Sequence, residues 1–509
     1  MGSGSGMEAI QGPAGPRAMT ADFSGEDMKP AKQDHELHHL YRTVPRSASA
    51  LPLVVLVLAL AAAGVVALPL WTALASGFIA AFAVGWISGF PFRKLVLAAF
   101  SGMKKVSRVA VLMALINVAI ATWLGSGSIQ SLVYYGLRAV RPGSLLAAGF
   151  LASTVVSVVL GTAVGTLSTV GVAAMAMARA AGVHQGLVAG ALLSGALLGD
   201  RLSPVSPIFH VTVQSTGSAQ ERVWKRAAVT EGIGWILTLA LYFVVQSSMK
   251  SSSASGGAQN SFLETMAGMW SPSPVACFPP LVVLFLAVFR VPVPWALTGG
   301  IIAGTGLGLV RGVRWPEIVW WWLKGFKAST EAASLDQAFS GGGLVRASNV
   351  VLLLLFAGAF NGVMESTGMF RGVAEPIVEK LRSRKAVLLG TMGLGAASAC
   401  VMSNQLMSII VPAELTRDIQ TGLEIEPEVT AQILLASGGV LSPLIPWNIM
   451  GVMSSEALGL PTAAFAAFTF YPFVVLALTA IQAAFASPRS DSSCRKRRTD
   501  EIEEAEGKG

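Results

Sequence analysis

The sequence predicts an all-α polytopic membrane protein of about 12 transmembrane segments, arranged as two inverted repeats with broken or re-entrant helices. Three observations carry that prediction. Apolar runs recur from Leu51 to Ala484, many of them close to the roughly 20 residues that cross a hydrocarbon core of about 30 Å. Only 13% of the 509 residues are charged and 53% are hydrophobic, whereas soluble domains carry about 25% charged residues. Two greasy stretches studded with Gly, Pro and Ser, residues 192–212 and 434–451, also stand in corresponding order in the two halves of the chain.

Residues 1–46 are polar and lack the pattern of a signal peptide, so they read as a disordered cytoplasmic tail. Within it His35, His38 and His39 give a weak metal-binding hint. The first transmembrane repeat, 47–246, holds apolar segments at 51–71, 71–90, 106–124 and 228–245, with an interrupted apolar region at 144–198. A low-complexity linker, 247–270, separates it from the second repeat, 271–486, whose clear segments lie at 275–289, 293–310, 350–364 and 463–484. Two further interrupted regions, 386–411 and 431–453, fall within that repeat. A charged tail, 487–509, follows.

The basic residues set the topology. Arg93, Lys94, Lys104, Lys105 and Arg108 read as a cytoplasmic loop after the second segment, which puts the N-terminus inside as well. Arg495, Lys496, Arg497 and Arg498 place the C-terminus inside, so the number of crossings is even. The net charge of +8 is thereby explained by orientation in the inner or plasma membrane, with no nucleic-acid patch. Cys277, Cys400 and Cys494 lie far apart and suggest packing, neither a disulfide framework nor a metal site. The run 315–327, rich in Trp and basic residues, reads as an interfacial anchor.

The interrupted regions pair between the halves. Ser203, Pro204 and Pro207 match Ser442, Pro443 and Pro446 through a shared Ser-Pro-x-x-Pro, and Thr162 matches Ser403 upstream at nearly the same separation. Proline lacks an N–H and restricts the residue before it, so each motif is expected to end a helix inside the membrane. Backbone freed there survives only when buried in protein or facing a water-filled cavity. Its carbonyls, with the hydroxyls of Ser203, Ser206 and Ser442, can replace the water shell of a small cation. Such paired breaks point to the central site of a transporter.

At these residues the chain resembles the NhaC-type sodium/proton antiporters, over nearly the whole membrane region from about Leu51 to Ala486. The carriers of the resemblance are GTAVGTLSTVGVA at 161–173, AGALLSGALLGDRLSPVS at 189–206, SNQLMSIIVP at 403–412 and SPLIPWNIMG at 442–451. It implies exchange of Na+ and H+ by alternating access, those two ions being cargo, with no cofactor. It also implies a site lined by Thr162, Thr166, Ser203, Ser206, Asn404, Gln405, Ser442 and Asn448. A homodimer in the bilayer is the expectation from related folds.

Departures from the family pattern bear on the substrate. Where the family continues S-P-L-S-D-T-T-N, this chain places Pro207, Ile208, Phe209 and His210, and Leu435 and Ala436 stand where the family has two acids. The remaining proton-coupling candidates are Asp200, Glu414 and His210. Asp200 beside Arg201 also reads as half of an ion pair, and Glu414 reads as following a break at Pro412. Glu231 and Glu365 are expected near membrane surfaces. Fewer acids and a bulkier, less cation-like site leave open a proton- or sodium-coupled carrier of organic anions or amino acids, and a non-transporting scaffold or sensor. The glycine-rich residues 340–346 lack the Lys-Ser/Thr of a phosphate loop, and no nucleophile, base and orienting group fall together, so an enzyme is not expected.

Overall fold

The computed structural model describes residues 44–485 apart from 67, 141, 204–205, 250–255, 290, 331–335 and 337–338. The histidines at 35, 38 and 39, the charged C-terminal tail and Pro204 therefore lie outside the described residues.

Prolines start several of the helices. Pro69 and Pro91, both extended, precede Leu70–Ile87 (α2) and Phe92–Gly125 (α3), and Leu51–Val66 (α1) packs beside α2. Next come Ser128–Ala139 (α4), Leu145–Leu160 (α5), Ala163–Ala180 (α6), Gln185–Leu202 (α7), Pro207–Thr216 (α8) and Gln220–Met249 (α9). Gly256–Trp270 (α10) makes the second end of the expected linker helical, as α9 does the first. Phe278–Val288 (α11), Val293–Val310 (α12) and Trp315–Lys324 (α13) follow, then Leu344–Ser366 (α14), Met369–Val378 (α15) and Arg384–Val401 (α16). Met407–Gly422 (α17), Pro427–Leu434 (α18), Ile449–Leu458 (α19) and Phe470–Ala484 (α20) complete the chain.

Among the described residues seven helices are long and apolar enough to cross a membrane, or up to ten if each of three bent pairs counts as one span. Large apolar side chains such as Val65, Ile87, Phe285 and Ile302 stand exposed on them. In water such a surface would drive aggregation, whereas in lipid it is the outer face of the protein. The molecule is a multi-pass integral membrane protein.

Two sequence expectations change here. At 34 residues α3 runs about 51 Å at 1.5 Å per residue, well beyond the hydrocarbon core. Arg93, Lys94, Lys104, Lys105 and Arg108 thus lie on the first turns of α3, because no proline or glycine turn interrupts 92–125. The second is α13, which packs onto the end of α3, with Trp322 Nε1 donating to Thr122 Oγ1 at 3.0 Å. Its tryptophans fasten protein to protein as well as lying near the surface.

Small residues bring backbones into contact. A Cβ at Gly102 on α3 would stand 1.9 Å from the Gly358 carbonyl oxygen on α14, and one at Gly362 would stand 2.2 Å from that of Ala98. This is the close crossing that small-xxx-small spacing permits in membranes. Gly102→Ala is expected to lower the thermal unfolding temperature in detergent, since overpacking costs about 1–3 kcal/mol. Gly306→Ala on α12, where nothing lies within 4 Å, should leave it unchanged. Equal behaviour of the two variants would contradict the close crossing.

Candidate functional site

Four breaks concentrate the irregular backbone. The first is between α5 and α6, where Gly161 takes φ +67° and Thr162 is extended. A left-handed turn there suits glycine, which has no Cβ to clash. The second lies between α7 and α8, where Ser203 is the C-cap of one and Ser206 the N-cap of the other before Pro207. The third, 402–406, separates α16 from α17 and holds Ser403 at φ +48°. The fourth follows α18: a π-helical stretch Leu435–Gly439, a short 3-10 turn Ser442–Leu444 containing Pro443, and a turn at Pro446 lead to Asn448, the N-cap of α19. A second π-helical stretch, Leu167–Gly171, lies inside α6. Single π turns inside α-helices are often found at functional sites.

Proline does not act everywhere as the sequence suggested. Pro412 lies within α17 and does not break it; the interruption is upstream at Ser403. The carbonyl of Ser408, which proline at 412 cannot engage, faces Gly438, where a Cβ would come within 2.4 Å of it.

The breaks of the two halves meet. Asp200, on the last turn of α7, is 3% exposed. One carboxyl oxygen accepts the Ala163 N–H at the start of α6 at 3.4 Å, and the side chain of Gln405 faces the same carboxyl. Its other oxygen has no hydrogen-bond partner, and neither have the buried hydroxyls of Ser203 and Ser403. Gln405 in turn donates to the Gly439 carbonyl, and the Ile449 N–H donates to the Ser403 carbonyl at 2.9 Å. Beside these contacts α19 packs against the first half of α6.

Most of the other expected site side chains serve the backbone. Thr166 Oγ1 donates to the Thr162 carbonyl at 3.0 Å and Ser442 Oγ to that of Gly438 at 2.7 Å. Ser206 Oγ donates to the Asp200 carbonyl and accepts from Phe209 N–H. Asn448 donates to the Ala399 carbonyl at 2.9 Å and caps α19 through Met450 N–H, while Asn404 accepts from Leu406 N–H. They shape the breaks, and among the break residues Asp200 Oδ2 and the hydroxyls of Ser203 and Ser403 are buried groups that make no hydrogen bond. Ser403 was marked in the sequence only as the counterpart of Thr162.

The partners of the charged residues differ from chain adjacency. Arg201 does not pair with Asp200; it is buried on the other side of α7 and ion-paired with Glu231 on α9. Successive helical residues point about 100° apart, which separates the two neighbours. Glu231 faces the protein interior: it is 1% exposed and its second oxygen accepts from the Tyr471 hydroxyl of α20. Glu414 lies on α17, half-exposed and paired with Arg371 at 2.8 Å, and Glu365 is likewise half-exposed and paired with Lys105 at 2.8 Å. His210 sits on α8, one turn beyond Ser206, its ring edge-on to Phe209. Glu414→Gln is accordingly expected to leave any coupled flux within about twofold of the parent, since exposed ion pairs contribute about 0.2–1 kcal/mol. Transport lost in a folded Glu414→Gln protein would move the coupling role there.

What this arrangement can do chemically is bind a proton or a small cation. A buried carboxyl with one oxygen left without a hydrogen bond is costly as a bare charge. The N-terminus of α6 offsets that cost and the C-terminal end of α7 attracts a cation, through opposite ends of two helix dipoles.

Comparison with known proteins relates the chain to membrane antiporters. A family model described as the Na+/H+ antiporter family matches residues 208–486. The Na(+)/H(+) antiporter NhaC of Bacillus subtilis (strain 168) is 27% identical over 394 residues, covering 76% of this chain and 86% of its own. From the same organism the malate-2H(+)/Na(+)-lactate antiporter is 25% identical over 423 residues, covering 81% and 89%. The arginine/ornithine antiporter ArcD of Halobacterium salinarum is 26% identical over 367 residues, covering 70% and 74%.

Proposed function

The chain belongs to the Na+/H+ antiporter family, and from that premise we propose that it exchanges Na+ for protons by alternating access in the inner or plasma membrane, with both termini cytoplasmic. Asp200 carries the exchange, in preference to Glu414 and His210. The observation that supports this most directly is the unpartnered Asp200 oxygen at the junction of the breaks, beside Gln405 and the start of α6. One carboxyl that is stable only when neutralised accepts either a proton or a cation, and occupancy by one excludes the other. Ser203, Ser403 and the carbonyls freed at the breaks complete a shell for the cation.

The two halves fit inverted repeats: α5–α6 and α7–α8 in the first correspond to α16–α17 and α18–α19 in the second, each pair interrupted at the matched residues. With 12 crossings, one repeat unit rocking against the other would expose Asp200 to each side in turn.

The test is proton flux in sealed proteoliposomes with an internal pH dye, scanning Na+, Li+ and K+. A saturable Na+-dependent response absent from empty liposomes is expected; a response to none of the three ions overturns Na+/H+ exchange.

A second reading, coupled exchange of an organic anion or amino acid, is favoured by one local feature. Phe209, fully buried, shares one apolar cluster with Leu435, where the family pattern has a threonine and an acid. The similarity to the malate/lactate and arginine/ornithine antiporters supports the same reading. On it, proton flux requires solute as well as the ion.

A further inference from the structure

A cavity of about 1010 Å³ opens between α3 and α14 on one side and α6 and α19 on the other. It is separate in its charged lining from Asp200, yet reaches Pro446 in the fourth break. Three charged side chains line it: Arg179 at the end of α6, Arg346 near the start of α14 and Glu456 on α19. None of the three forms an ion pair with another charged residue among the described residues.

Their remaining contacts are instructive. Arg179 uses Nη2 on the carbonyls of Leu458 and Gly459, at 3.4 and 3.1 Å, and Nε on Gln185. The two guanidinium groups repel each other across the space. Asn117 Nδ2 donates to one oxygen of Glu456 at 2.9 Å, and Glu456 lines the cavity. The rest of the wall is largely apolar, with Leu68, Trp71 and Ile120. Ligand sites of about 300–1,000 Å³ commonly combine apolar walls with a few convergent polar groups. The volume here greatly exceeds what a bare monovalent ion needs.

We propose that this cavity binds an uncharged-side-chain α-amino acid as its zwitterion. The carboxylate bridges Arg179 and Arg346 and relieves their repulsion, the ammonium rests on Glu456, and the side chain lies along the apolar wall. A simple carboxylate would satisfy the arginines and leave Glu456 unmatched; a simple amine would do the reverse. The inference supplies a solute site for the second reading above and, as regards transport, rests on it.

The experiment uses full-length protein in lipid nanodiscs and three matched probes. L-leucine carries both charged groups, 4-methylpentanoate lacks the ammonium and 3-methylbutylamine lacks the carboxylate. L-leucine is expected to bind best, with at least about a tenfold preference over either, the value of one charge-assisted hydrogen bond of about 1.5–3 kcal/mol. Arg346→Gln should weaken leucine and 4-methylpentanoate alike. Glu456→Gln should abolish the preference of leucine over 4-methylpentanoate and leave 4-methylpentanoate unchanged. Arg346 is the better probe because Arg179 also holds the end of α19. Leucine that fails to bind folded protein, or binds both variants as it binds the parent, overturns the proposal. Leucine uptake tested separately in proteoliposomes distinguishes the readings. Binding without coupled flux removes solute exchange and keeps the site, and solute flux unaffected by either variant keeps exchange and removes the site.

Discussion

Asparagine in place of Asp200 is expected to bring Na+-dependent proton flux down to that of empty liposomes, at every pH tested, in protein that still folds. The amide keeps the shape of the side chain and can still accept the Ala163 N–H, so the break between α5 and α6 retains its contact. It cannot take up or release a proton and gives a cation no charge. Asp200→Glu should restore part of the flux with a changed apparent affinity for Na+, because the charge returns in a displaced position. Full flux in Asp200→Asn would move the proton to another group, with His210 on α8 next to be replaced.

The largest effect on stability is expected from Glu231→Gln. It leaves Arg201 buried without its counter-charge, and breaking a buried ion pair by removing one partner costs about 3–5 kcal/mol. The loss is read as a lower unfolding temperature in detergent. Three helices feel it, since the same carboxylate joins Arg201 of α7 to Tyr471 of α20 from its place on α9. The double variant Glu231→Gln/Arg201→Met should recover most of the stability, because an apolar replacement of both partners removes the uncompensated charge. If Glu231→Gln alone unfolds like the parent, the pair is not the lock that its burial suggests.

Much of the site was legible because its signals are local. Gly161–Thr162, Ser203, Ser206–Pro207 and the Ser442–Asn448 run each combine residues that interrupt a helix with an apolar surround, and the structure interrupts helices at all of them. Ser403 was legible as a break only through its match to Thr162. Nothing in its immediate sequence announces φ +48°, and Pro412, the more conspicuous helix breaker, lies about two and a half turns further along. A proline forbids one hydrogen bond, but whether the helix stops depends on what stands ready to occupy the freed carbonyl.

Charges were harder, because their meaning lies in tertiary neighbours. Glu231 and Glu414 look alike in sequence, single acids within apolar stretches. One faces Arg201 and Tyr471 in the interior, the other Arg371 on the outside. Similarly, Arg179, Arg346 and Glu456 come from three distant segments and share a cavity only after α6, α14 and α19 have packed. Hydroxyls carry a second use that tertiary structure alone shows: in membrane helices Ser and Thr readily return their hydrogens to carbonyls one turn back, as Thr166 and Ser442 do.

Asp200 and Arg201 are chain neighbours, and Arg201 is already matched by Glu231. In the proposed exchange this arrangement is electrical as well as structural. The cluster carries one net negative charge while Asp200 is bare and none once a proton or Na+ sits on it. A membrane potential does work of about 2.3 kcal/mol per elementary charge per 100 mV on charge that crosses its whole field. It therefore acts on the bare carrier and leaves both loaded forms untouched. One carboxyl serving two monovalent cations in turn makes the exchange one-for-one and silent to a voltage clamp. Such a carrier takes its direction from the two concentration gradients alone.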